Sequence, residues 1–144
     1  MLKIIAKLTC AAALAAALTV PASAAGLASF IGTWVNTNPA TRGIVKIVIT
    51  QPAMPGAPLS VNVYGACVPT ACNWGSQPAV AYAPSVSSNL PTEANALTVD
   101  FNPGFAVNML TIMQDGPYLR VTDFTRFTDN SHRTNYDQTE TFKK

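Results

Sequence analysis

From Gly32 onward the chain is cut into segments of five to ten residues rich in Val, Ile, Thr, Tyr and Phe, each ended by Pro, Gly, Asn, Asp or Ser. That rhythm selects strands joined by turns, because β-branched and aromatic side chains suit a pleated surface and the punctuating residues supply turn geometry. Eight strands are expected, at about Gly32 to Thr37, Gly43 to Gln51, Leu59 to Ala66, Pro78 to Ala83, Ala96 to Phe101, Phe105 to Gln114, Tyr118 to Phe127 and Arg133 to Lys143. No helix is expected among them.

Alternation supports the assignment. Val45, Ile47 and Ile49 interleave with Ile44, Lys46 and Val48, and Leu97, Val99 and Phe101 with Ala96, Thr98 and Asp100, the period of a half-buried strand. In the seventh strand Leu119, Val121 and Phe127 share a parity with Asp123 and Thr125. An acid therefore falls on the apolar face unless a bulge shifts the register. Asn102-Pro103-Gly104 and Asp115-Gly116-Pro117 read as tight turns, Asp129 to His132 as a longer one, and Pro52 to Pro58 and Pro84 to Asn95 as the long loops. Short connections join antiparallel neighbours, and eight strands in meander order favour closure, which removes exposed edges. The expected fold is all-β, an antiparallel eight-stranded up-and-down β-barrel, with a two-sheet β-sandwich as the alternative.

Ahead of the strands, Lys3 and Lys7 precede an apolar run from Leu8 to Val20 that ends in Pro21-Ala22-Ser23-Ala24, the layout of a secretory signal peptide cleaved after Ala24. Residues 1–24 are thus read as the signal and 25–144 as one domain, periplasmic or secreted. Cys10 precedes most of the apolar stretch, whereas a lipidated cysteine follows it. No later segment approaches the ~20 apolar residues of a spanning helix, so no membrane insertion is expected after cleavage. The full chain has nine basic and seven acidic residues; losing Lys3 and Lys7 leaves seven of each, which gives nucleic acid or an anionic surface no purchase. Cys67 and Cys72, both beyond the signal, are expected to form a disulfide in an oxidising compartment, contributing about 2 kcal/mol through so short a loop.

No catalytic or cofactor motif stands out. A Gly-x-Ser-x-Gly elbow, a phosphate-binding glycine loop and a His-Glu-x-x-His helix are all missing from the sequence. The single histidine, His132, lies in a polar turn without a partner motif for metal; of the acid pairs that could in principle do general acid–base work, Asp123 with Asp129 and Asp137 with Glu140, parity sets the latter two on opposite faces. The chain is read as a non-enzyme without cofactor or metal.

The densest group of specialised residues runs from Tyr64 to Gly75, through Cys67, Pro69, Cys72, Asn73 and Trp74. It reads as a stapled hairpin tip. Tyr64, Asn73 and Trp74 are the candidate rim for a ligand or partner, since an ordered aromatic binds with little entropy loss; alternatively Trp74 folds back to cover one end of the core. The stretch Phe124 to Tyr136 interleaves Arg, Thr and aromatics and reads as a hairpin with Phe and Tyr inward and Thr and Arg toward water.

The segment Gly32-Thr33-Trp34-Val35-Asn36 resembles the opening of the calycin superfamily, which includes lipocalins, avidins and small bacterial metalloprotease inhibitors, and the last strand, ending Glu140 to Lys144, resembles the closing strand of an avidin-type barrel. The resemblance implies that Trp34 packs across the closed end against a basic residue from a late strand, here Arg126 or Arg133, a guanidinium being able to stack on an indole. Avidins line their pocket with several tryptophans; only Trp34 and Trp74 are present, which argues against biotin. The expected function is an exported binding protein holding a small apolar or amphipathic ligand, or a protein partner, at the barrel mouth. The alternative, implied by the resemblance, is an inhibitor of a secreted protease using Ala25 to Ile31 as an inserted tail.

Overall fold

The computed structural model describes residues 26–51 and 57–144. The expected signal peptide with Cys10, its cleavage point and most of the Pro52 to Pro58 loop lie outside the described residues. Eight strands follow one another in chain order: β1 (Gly32–Asn36), β2 (Ile44–Thr50), β3 (Leu59–Gly65), β4 (Cys72–Tyr82), β5 (Ala96–Phe101), β6 (Ala106–Asp115), β7 (Tyr118–Phe127) and β8 (Tyr136–Lys143). Each pairs antiparallel with the next, and β8 returns to β1, closing the barrel. The barrel is the all-β, up-and-down form, not the sandwich.

Two single-turn helices, α1 (Leu27–Phe30) and α2 (Leu90–Glu93), depart from the expectation of no helix. Both lie at one end of the barrel and make the plug that a strand pattern cannot foretell. Phe30 is fully buried and Leu27 packs against the core. Gly26, at φ 71°, lets α1 abut α2, since a Cβ there would stand 2.3 Å from the Pro91 carbonyl oxygen. The Trp34 indole N–H donates to the Phe30 carbonyl at 2.7 Å. The cation over Trp34 is Lys144, its Nζ 4.8 Å from the ring and donating to the Ser29 carbonyl at 3.3 Å. Arg126 and Arg133 do not take that place, because β7 carries Arg126 toward the opposite end and Arg133 lies in the connection beyond it, stacked on Phe127.

Inward residues fill the plugged half with aliphatic packing. Leu59, Val61, Val63, Leu97, Val99, Leu110, Ile112, Leu119, Val121 and Phe142 are all buried. In β2 the pairing steps from Ile44 with Gly65 to Lys46 with Tyr64, leaving Val45 over. That bulge turns Ile44, Ile47 and Ile49 inward together, whereas strict alternation groups Val45 with the latter two. The fourth strand starts at Cys72, six residues before the expected Pro78.

The seam is the short part of the barrel. β1 and β8 share only the pairs Val35 with Lys143 and Asn36 with Phe142. Side chains extend it. The Thr37 amide and hydroxyl both donate to the Thr141 carbonyl at 2.9 and 3.0 Å. On the other flank of β1 the buried Asn36 amide donates to the Ile44 carbonyl of β2 at 2.7 Å and accepts from the Asn38 N–H at 2.8 Å. Glu140 reaches over β1, accepting from the Thr41 hydroxyl and from the Ile44 N–H at 3.1 Å. Asn36→Ala, which strips partners from a buried site, is expected to cost about 1–3 kcal/mol, read as a lowered midpoint in urea unfolding at unchanged slope.

Candidate functional site

The connections 37–43, 66–71, 102–105 and 128–135 gather at the end opposite the plug, and between them opens a cavity of about 590 Å³. Its walls differ in chemistry. Toward β4 and β5 stand Trp74 and Phe101, edge to face with centroids 5.8 Å apart. Toward β6, β7 and β8 stand Asn108, Asp123, Thr125, Gln138 and Glu140. The inward positions thus change from aliphatic in the plugged half to polar in the open half along β6, β7 and β8.

A second bulge places the indole. Val63 pairs with Gly75 and Tyr64 with Asn73, so Trp74 is the residue left over in β4. The extra residue, followed by Gly75 at φ 88°, turns the ring over Gly65 and into the cavity. There is no room for a side chain beneath it: a Cβ on Gly65 would lie 2.7 Å from Trp74 Nε1. Trp74 thus folds back over the core and at the same time forms a wall of the mouth.

Asp123 enters by unbroken register. It pairs with Leu110 on β6 and Gln138 on β7's other neighbour, β8, and parity sends it inward with Val121 and Thr125. Asn108 Nδ2 donates to both carboxylate oxygens at 3.1 and 3.0 Å and to Thr125 Oγ1 at 2.8 Å. Burial pushes the Asp123 carboxyl above the ordinary aspartate range; the Asn108 and Thr125 hydrogen bonds hold it down in part, and the charge of Glu140 adds to the rise. The two carboxylates that share the interior are thus Asp123 and Glu140. Asp129 faces Arg133 across the exposed turn at 2.5 Å, and its carboxyl lies below the ordinary range through the Ser131 hydroxyl first and Arg133 after. Asp137 pairs with the outward Phe124.

Of the expected rim residues, Trp74 and Asn73 line the cavity. Tyr64 faces outward between β2 and β4, with Lys46 Nζ 3.9 Å over its ring. Cys67 and Cys72 form the disulfide and border the mouth. Arg133 stands at the rim, 3.9 Å over Phe127, while Arg126 is exposed on the outer face. The hairpin expectation of Phe and Tyr inward and Thr outward is corrected in part: Thr125 is buried and Phe124 exposed, because Thr125 shares the parity of Leu119 and Val121, whereas Phe127 and Tyr136, the latter paired with Thr125, line the mouth. His132 is an exposed turn residue at φ 57°, and no group of three metal-ligating side chains occurs among the described residues.

Comparisons with protein-family models, with curated proteins and with solved structures find no match. The cavity's own geometry is what bears on function.

Two outcomes follow from this geometry. Gly65→Ala is expected to push the indole from its seat, costing about 1–3 kcal/mol as an overpacked site and shifting the tryptophan emission. For Asp123, a folded pKa above the unfolded one means the native state binds more protons, so stability falls as pH rises from the unfolded value through the folded one. Asp123→Asn is therefore expected to raise the melting temperature at pH 7, with the difference vanishing below the pKa of an unfolded aspartate; a lower melting temperature at pH 7 would contradict the placement.

Proposed function

We propose that the chain is an exported binding protein that holds a small amphipathic molecule in the open half of its barrel. The observation that carries this reading is the two-sided cavity, aromatic on one wall and hydrogen-bonding on the other, of a volume ordinary for small-ligand sites. The Cys67–Cys72 disulfide agrees with an oxidising compartment. The resemblance to calycins at Gly32 to Trp34 points the same way, since such barrels take ligands at one mouth. The polar wall shifts the expected ligand from simply apolar to amphipathic.

The protease-inhibitor reading has less support. It needs Ala25 to Ile31 as a free tail, and in this fold Leu27 and Phe30 are packed into the plug.

A thermal-shift and native mass spectrometry screen of small metabolites, lipids and amphiphiles tests the proposal. Ligands that stabilise the protein are expected to lose about 1 kcal/mol of affinity, near fivefold, on Trp74→Ala through lost aromatic contact. A consistently blank screen would overturn it.

A further inference from the structure

The buried and half-buried polar groups of the cavity, Asn108, Asp123 and Thr125, turn acceptors toward it, whereas Gln138, beside Asp123 in register, carries amide N–H donors. The Asn108 amide hydrogens are spent on Asp123 and Thr125, and the Thr125 hydroxyl hydrogen points to Asp123 at 3.4 Å. What these three residues leave open to the cavity is the remaining lone pairs of the Asp123 carboxylate and the Asn108 carbonyl oxygen, which accepts no hydrogen bond among the described residues. Asn108 itself is 8% exposed, so this acceptor is held rather than free to swing toward water. Glu140 stands nearby with its carboxylate anchored to Thr41 and to the Ile44 N–H, and it adds a second negative charge without adding a donor.

A carboxylate removed from water is ordinarily matched by a cation. Asp123 has none: the single ion pair among the described residues joins Arg133 to Asp129, on the exposed turn. Arg133 is thus engaged at the rim, and Arg42, the other basic residue of the lining, is exposed there. Beside the acceptors stands Phe101, the register partner of Asn108, with Trp74 edge to face against it, surfaces that favour an apolar or aromatic body and attract cations over their faces.

We propose that the ligand is a small organic cation, an amine or guanidine with an apolar or aromatic body, whose N–H groups meet Asp123 and the Asn108 carbonyl while its body lies against Trp74 and Phe101. An ammonium brings three donors and no acceptor, the complement of this wall. A neutral polyol would leave the Asp123 carboxylate without a counter-charge, and a carboxylate would meet two like charges. The inference rests on the binding reading above and narrows it.

The test uses three isosteric probes on the ¹⁵N-labelled mature protein at pH 7: phenethylamine, 2-phenylethanol and phenylacetate, titrated while the Trp74 indole and Asn108 side-chain resonances are followed. Phenethylamine is expected to move both resonances with a Kd at least tenfold below that of 2-phenylethanol, and phenylacetate to bind weakest. Asp123→Asn, which keeps the shape of the side chain, is expected to erase the preference for the amine; Asp100→Asn, on the outer face of β5, is expected to leave it intact. Equal affinities for amine and alcohol, a preference for phenylacetate, or a preference that survives in Asp123→Asn would overturn the inference while leaving the cavity a binding site. No binding by any of the three would overturn both readings.

Discussion

Closure between β8 and β1 is the contact on which the rest of this structure depends. An open sheet of eight strands would present two unpaired edges and spill its apolar face into water. Here the seam has two residue pairs of ladder and is completed by Thr37 and Glu140. Glu140 therefore serves twice. Its bonds to Thr41 and the Ile44 amide tie the last strand across β1 to the second, and its charge faces the cavity beside Asp123. Gly43 is part of that arrangement, because a Cβ there would stand 2.8 Å from both Gln138 Nε2 and Glu140 Oε2.

Once closed, the barrel is divided along its axis. The plug of α1 and α2, Trp34 and the layers of Ile, Leu and Val make a dry half in which every inward position is filled. The other half is lined by residues that fill it poorly and bring polar groups inside. Asp123 is the clearest instance: its burial favours the protonated form, so as an anion it detracts from stability, and no cation among the described residues pairs with it. Sites where local stability is given up in this way are commonly sites of function. The bulge at Trp74 fits the same division, trading one ladder position for an aromatic wall.

Much of the fold was legible in the order of residues. Strand rhythm and turn residues place β1 to β3 and β5 to β7 within a residue or two, and the spacing of Cys67 and Cys72 anticipates their bond. The parity of Asp123 with Leu119 and Val121 already pointed it inward. Three features had no local signal. The bulges at Val45 and Trp74 are visible only when the partner strand is known, so alternation misgroups Ile44, and β4 is cut short at Pro78. The helical turns at Leu27 and Leu90 are held by packing against each other, not by propensity. The meeting of Asp123 with Glu140 depends on the β7–β8 register, which pairs Asp123 with Gln138 and Val121 with Glu140, whereas reading along the chain suggests the wrong partners, Asp129 and Asp137. Lys144 over Trp34 was likewise hidden, because it follows the last strand.

The most direct measurement of this account is the titration of the Asp123 side-chain carboxyl in the folded protein, followed by ¹³C NMR against pH. The expected result is a midpoint above the ordinary aspartate range, as burial with no paired cation among the described residues requires. A midpoint at or below that range would mean that Asp123 is solvated or already paired with a cation, and would contradict the polar, half-hollow barrel described here.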